Sequence, residues 1–329
     1  MRTASYSTDS AAPAERAAHW NRAIAEAYFP LHLSFRQPAA FNGALSRATL
    51  GEVGLSHLRS DALQYERHRH HIGHSQAEEY LITLPRRGPV EFSQFGREIR
   101  CDPGGFIIER GDEPYRFTYA NRNDLFVLKA SKAALSGRLR DPDRFCARVF
   151  NAQSGIGRLF ASLVENALQQ ADNASDTAAL VLGRHMLDLL ALSLEDGTDA
   201  SQSSTSVVRA AHVRRIMGFI RGGLANPDLT PEVIAGACGI SKRYLHELFK
   251  ELNGTVSHFI REERLIAARD LLTMPDSGAI ADIAYRFCFA DQAQFSRLFR
   301  DRFGQTPSGY RAKPGHGGTI PFEKLKMTA

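Results

Sequence analysis

A chain of 329 residues exceeds what one hydrophobic core usually fills, so two domains are expected. Its composition, 43% hydrophobic and 23% charged, is that of an ordinary globular protein, and no uninterrupted apolar stretch approaches the ~20 residues of a membrane helix, which argues against a membrane partner. The net charge of +5 is uneven: residues 207–329 hold 18 Lys and Arg against 12 Asp and Glu, a net +6, and residues 1–206 hold 23 against 24, a net −1. A basic excess confined to the C-terminal part is the footprint of a phosphate-binding domain.

Residues 1–18 are rich in Ser, Ala and Thr and lack the apolar segment of a secretory signal, so they read as a disordered leader of a cytoplasmic protein. Over 19–195 a sensor-like domain is expected. Residues 41–130 carry short β-type runs, Glu79–Leu84, Val90–Phe95, Phe106–Glu109 and Leu125–Leu128, with turns at Pro103-Gly104-Gly105 and Gly111-Asp112-Glu113-Pro114, pointing to an antiparallel barrel or sandwich. Phe92, Phe106, Phe117, Tyr119 or Phe126 would suit the wall of an aromatic-binding cavity, although alternating aromatics in strands are core residues in most cases, and the effector-binding residues stay unassigned.

His68, His70, His71 and His74, with Glu78 and Glu79 beyond, have the residue types of a metal-binding barrel. Such a site needs a further histidine on a later strand, and none occurs between His74 and His185. No metal, no cofactor and no catalytic residues are therefore expected; a metal-dependent cupin-type enzyme fused to a DNA-binding domain is the alternative.

From Ile156 the period becomes helical. Ile156, Leu159, Phe160, Leu163 and Val164, then Leu180, Leu187, Leu190, Ala191 and Leu194, form two amphipathic helices, with a cap at Ser175 or Asp176, that pack on the β domain or dimerise. Residues 196–206 are small and polar and read as a linker. Cys101, Cys146, Cys238 and Cys288 lie far apart, without a C-x-x-C pair, and read as buried apolar residues. A thiol-based DNA-repair protein would need them clustered and activated.

Residues 207–313 contain an internal repeat of about fifty residues. Ile234-Ala235, Gly239-Ile240, Leu245, Leu248-Phe249 and Gly254 match Ile283-Ala284, Cys288-Phe289, Phe295, Leu298-Phe299 and Gly304. Thr230-Pro231 starts the first copy with a hydroxyl cap and proline at the first helical position, and Gly239 permits the tight turn into a second helix. Each copy is a helix-turn-helix. Leu245, Leu248, Phe249 and Leu252 share one face of the first recognition helix, leaving Arg243, His246 and Glu247 to read bases, with Lys242 and Lys250 for phosphates. In the second copy Gln292 and Arg297 are the base readers and Arg300 the phosphate contact, while Gln294 caps its helix after Asp291. A helix over Phe259–Leu272 joins the copies, and if both dock on one face of duplex DNA they enter major grooves about one helical turn, ~34 Å, apart.

Residues 208–313 resemble the DNA-binding domain of the AraC/XylS regulators, carried by Ile240–Phe249, Arg264-Leu265, Ile283-Ala284 and Phe295–Arg311. The resemblance implies seven helices, contact with two successive major grooves of double-stranded DNA, and activation through RNA polymerase. Residues 20–195 resemble, more loosely, the cupin-like sensor domains of regulators of catabolic genes, implying a small-molecule effector and a homodimer. The fold class is then α+β in two domains, a cupin-like β-barrel with a helix pair followed by two helix-turn-helix units, and 314–329 is a flexible tail. One departure stands out: where the family has glycine in the second turn this chain has Cys288, which predicts a strained or altered turn, sequence discrimination by the first copy and phosphate affinity by the second.

Overall fold

The computed structural model describes residues 3–72, 78–170, 174–197, 204–251, 254–272, 274 and 277–311. Most of the chain up to residue 202 forms one compact unit and the chain from residue 203 a second.

The first unit is a sandwich of two antiparallel sheets. Twelve strands are seen among the described residues: β1 Thr3–Ser7, β2 His32–Phe35, β3 Gly43–Leu50, β4 Val53–Ser60, β5 Leu63–Arg67, β6 Glu79–Pro85, β7 Val90–Gln94, β8 Arg97–Cys101, β9 Gly105–Arg110, β10 Tyr115–Tyr119, β11 Asn123–Ser131 and β12 Val149–Asn151. One sheet runs β1-β3-β4-β11-β6-β9-β12 and the other β2-β5-β10-β7-β8. The four runs expected from the sequence are β6, β7, β9 and β11. Their inward residues, Leu81, Phe92, Ile107, Leu125 and Val127, join Trp20, Leu45, Leu58 and Phe117 in the core between the sheets.

The N-terminal leader is corrected by the structure. β1 pairs with β3 from Thr3 opposite Ala48 to Ser7 opposite Ala44. The buried Thr8 hydroxyl accepts from the Gly43 N–H at 2.9 Å, and Tyr6 donates to the Glu26 carboxylate at 2.5 Å. An edge strand needs backbone partners more than apolar side chains, so its polar sequence gave no warning. α1, Arg16–Ala27, follows and buries Trp20, Ala23 and Ile24.

α2 (Arg69–Ile72) and α3 (Lys132–Ser136) are short connectors, and α4 (Gly155–Gln169) and α5 (Asp176–Asp196) are the amphipathic pair. Ser175 caps α5 by accepting from the Ala178 N–H at 3.2 Å. α5 is long and apolar enough by length and composition to cross a bilayer, with a mean hydropathy of 1.4. Instead it lays Ala179, Gly183, Met186, Leu187, Leu190 and Leu194 inward, with close approach to β3 at Gly183. Leu159 and Leu180, expected on the inward stripes, are exposed, as are Val181 and Leu192.

The second unit is all helical: α6 Ser204–Gly222, α7 Pro231–Ala237, α8 Lys242–Glu251, α9 Val256–Leu272, α10 Ile280–Arg286, α11 Gln292–Phe303 and α12 Pro307–Arg311, seven helices among the described residues. Its core joins Ile216, Ile220, Leu245, Phe249, Leu265 and Ala268 to a phenylalanine ladder, Phe295, Phe299 and Phe303. α6 begins inside the stretch read as linker. The rest of that stretch from residue 198, Leu252, and the tail 314–329 lie outside the described residues.

Candidate nucleic-acid interface and ligand cavity

In the first helix-turn-helix, Thr230 caps α7, accepting from the Val233 N–H at 3.3 Å, with Pro231 at its first position. The helix closes as Ile240 N–H donates to Ala235 O at 3.0 Å across Gly239, whose φ is +62°. This wraps the last turn into a left-handed residue and frees the chain to reverse. Ser241 then caps α8 through the Tyr244 N–H at 3.1 Å.

The second copy repeats this pattern. Phe289 N–H donates to Ala284 O at 3.0 Å across Cys288, whose φ is +59°. The turn predicted to be altered therefore has the same backbone as the first, held by a residue with a side chain. The copies differ one step later. α8 is capped by Ser241, two residues after Gly239, and α11 by Asp291, three after Cys288. The inserted Ala290 donates its N–H to Gln294 Oε1 at 3.1 Å, while the Gln294 N–H donates to Asp291 Oδ1 at 2.7 Å. Gln294 is thus committed to capping. A β-carbon in the left-handed region costs on the order of 1 kcal/mol. Cys288→Gly is expected to stabilise the helical unit by about that amount, read as a raised Tm. An unchanged or lowered Tm would instead assign the turn to the Cys288 thiol, which lies 3.5 Å from Ala225 O.

Each inward residue of α8 and α11 is buried or half-buried, so the opposite faces point outward. Arg243, His246, Glu247 and Lys250 are exposed on α8, and Gln292, Arg297 and Arg300 on α11. Arg243 projects into solvent, its side chain 89% exposed and paired to Glu247 at 3.2 Å, one turn on. Lys242 is exposed but bonded to the Glu232 carboxylate, which this ammonium holds below the usual carboxylate range. That pair ties α8 to α7, so a phosphate would have to compete for Lys242. α9 braces the two copies: Arg264 donates to Leu224 O at 3.0 Å and Asn226 O at 2.8 Å, and Glu262 accepts from Arg302 Nε at 2.6 Å. The sequence predicts a helix joining the copies; the side-chain contacts that brace it come from the structure.

The sandwich holds a cavity of about 40 Å³, lined by Tyr28, Tyr65, Tyr115, Phe117, Thr83 and Glu109 among others. Of the five aromatics proposed as its wall, only Phe117 lines it. Phe106 faces away, against Phe150 and Phe160; Phe126 stacks on His57; Tyr119 bonds to Ser60 and Tyr65; Phe92 packs behind Tyr115 and Phe117. The seven-stranded sheet is buried on both faces, so alternation alone could not say which face looks inward.

Glu109 reaches the cavity from β9. The register sets it opposite Leu81, and Thr83, two residues along β6, donates to Glu109 Oε1 at 2.5 Å. Burial pushes its carboxyl up to about 8, the Thr83 hydrogen bond opposing the shift. The Tyr28, Tyr65 and Tyr115 hydroxyls are all pushed above their ordinary value, chiefly by burial. A sequence signal existed: Glu109 ends the apolar run Phe106-Ile107-Ile108 at an inward position.

Among the described residues no group of three or more His, Cys, Asp or Glu is arranged to hold a metal. The His68 and His71 rings lie edge to face at 5.1 Å, and the His68 backbone N–H donates to His71 Nδ1 at 3.2 Å. The His70 side chain and His74 lie outside the described residues. Cys101, Cys146 and Cys238 are buried; burial pushes the Cys101 thiol up to about 12 and raises that of Cys238, the opposite of activation.

Comparison with known proteins gives two family matches, an AraC-binding-like domain over residues 20–195 and a helix-turn-helix domain over 234–313. The transcriptional activator NphR of a Rhodococcus species is 28% identical over 303 residues, 91% of this chain and 90% of its own length. The probable transcription factor PqrA of Proteus vulgaris is 35% identical over 97 residues, 29% of this chain and 75% of its own. Among solved structures, the AraC-like transcriptional activator CuxR superposes with a TM-score of 0.51 at 20% identity, covering 87% of this chain and all of that one.

Proposed function

The chain belongs to the AraC/XylS family of DNA-binding transcription regulators, and on that premise we propose that it is a cytoplasmic activator of catabolic genes, switched by a small molecule with an apolar, aromatic body. The family is one of regulators, so the function involves DNA and an effector rather than a catalytic step. The observation that carries the reading is the pair of matched turns presenting α8 and α11 with their polar faces outward. Arg243, His246 and Glu247 read bases from α8, Gln292 and Arg297 from α11, and Lys242, Lys250 and Arg300 hold phosphates. The two helices enter successive major grooves. The richer face of α8 supplies more of the discrimination. Residues 19–195 sense the effector, 196–206 link, and 207–313 bind DNA and contact RNA polymerase.

A homodimer forms through the apolar side chains that α4 and α5 leave outside, Leu159, Val181 and Leu192; a monomer in sedimentation at micromolar concentration would count against it. The effector shifts the equilibrium between two arrangements of the domains, one of which binds the activating site.

The test is protection of DNA upstream of the protein's own gene and its neighbours. Arg243→Ala is expected to cost roughly 1–3 kcal/mol at the protected site and relax the base preference there. Lys250→Ala weakens cognate and unrelated duplexes alike and lowers the salt dependence. Arg243→Ala binding the site with unchanged affinity and preference would show that α8 does not enter the groove on this face.

A further inference from the structure

An apolar cavity containing one carboxyl selects for charge as well as shape. Glu109 is 3% exposed, and its hydrogen bond from Thr83 uses only Oε1. The Tyr28 hydroxyl, which also lines the cavity, is buried without a hydrogen-bond partner of good geometry, with Ser56 beside it. Buried polar groups are nearly always satisfied, and a cavity that leaves two underused is shaped for a ligand that bonds them. The other walls are tyrosine and phenylalanine rings and aliphatic side chains; no Lys, Arg or His lines the cavity among the described residues.

We propose that the effector is a primary amine on an apolar body, its ammonium group held by the Glu109 carboxylate and the Tyr28 hydroxyl inside the aromatic walls. This rests on the reading of residues 19–195 as the effector domain and names the ligand class. An ammonium has three N–H donors, two of which Glu109 Oε2 and Tyr28 Oη can accept, and it is attracted to the faces of aromatic rings. An anionic effector would bring its charge beside a carboxyl with no opposing cation on the walls, which burial penalises heavily. A cavity of about 40 Å³ holds the ammonium and the first carbons behind it, since one water needs roughly 10–15 Å³ on the same measure.

Proton balance gives the proposal its own signature. In the empty cavity near neutral pH Glu109 is mostly the neutral acid. The amine arrives as R–NH3+, the acid gives up its proton to solvent, and a carboxylate–ammonium pair remains, with up to one proton released per ligand. The other titratable groups facing the cavity, Tyr28, Tyr65 and Tyr115, keep their protons far above neutral pH. Arg67, on β5 beside Tyr115, is held by Gly111 O and Pro30 O, and burial lowers its pKa from the ordinary value.

The experiment uses the full chain without DNA, so its outcome is independent of operator binding. Benzylamine, cyclohexylamine and butylamine are compared with the matching alcohols and carboxylic acids by thermal shift, and binders by calorimetry at pH 7 in two buffers of different ionisation heat. At least one amine is expected to bind ten or more times tighter than its alcohol and acid, releasing protons. In Glu109→Gln the amine preference should fall at least tenfold and the proton release vanish, with near-ultraviolet dichroism unchanged. Equal or tighter binding of an alcohol or acid, amine binding without proton release, or no stabilisation by any amine at 10 mM (roughly the weak limit for a specific site) overturns the proposal. Loss of operator binding in the separate footprint would overturn the regulator reading instead.

Discussion

Glutamine at position 109 is expected to remove a component of stability that the natural protein loses as pH rises. The Glu109 carboxyl, pushed from 4.5 to about 8 by burial, stays protonated in the folded state over a range where the unfolded chain has released that proton. The folded state therefore binds more protons between those values, and stability falls with rising pH there. The contribution is fully present below about pH 4.5 and is lost as pH passes through about 8; the shift corresponds to roughly 5 kcal/mol. Urea denaturation followed by a probe in the β-domain should show the natural chain losing several kcal/mol between pH 5 and 9, with the Glu109→Gln variant losing much less. Parallel pH profiles for the two proteins would mean that Glu109 is solvated or paired in the folded state.

Alanine at position 183 should have an effect opposite to that expected from helix propensity. Inside an exposed helix, glycine to alanine gains about 1 kcal/mol. A β-carbon on Gly183, however, would lie 2.0 Å from Leu50 O and 3.0 Å from its carbonyl carbon. Both are backbone atoms at the end of β3, so relief requires α5 to lift from the sheet and expose part of Met186, Leu187 and Leu190. Overpacking of this kind costs roughly 3 kcal/mol or more, which outweighs the propensity gain. Gly183→Ala is expected to lower the Tm of the N-terminal unit by several degrees; a rise would show that the helix and strand are further apart than described.

The helical unit was legible because its signals are local. Thr230-Pro231, Gly239, Asp291 and the inward phenylalanines each specify a cap, a turn or a buried face within a few residues, and the structure uses every one of them that way. Cys288 was legible as a departure from glycine, and its left-handed backbone follows from the turn. The inserted Ala290 was less visible, because the landmarks of the repeat survive a slip of one residue. In the first unit the strands were legible and the side they face was not. Phe106 and Phe117 look alike in sequence, yet one packs on α4 and the other lines the cavity. β1 was missed because backbone pairing and the Thr8 hydroxyl hold it.

Two inheritable traits are interleaved along the same strands of the seven-stranded sheet. On β6, β9 and β11, Leu81, Thr83, Glu109, Leu125 and Val127, all odd-numbered, border the cavity. Even-numbered neighbours turn the other way: Tyr80 donates to Asp143, and Phe106 meets Phe160 of α4 at 5.3 Å. Mutation at one set can reshape the cavity while the other set keeps α4 docked, so the lining of the cavity can change without rebuilding the contact between sheet and helix.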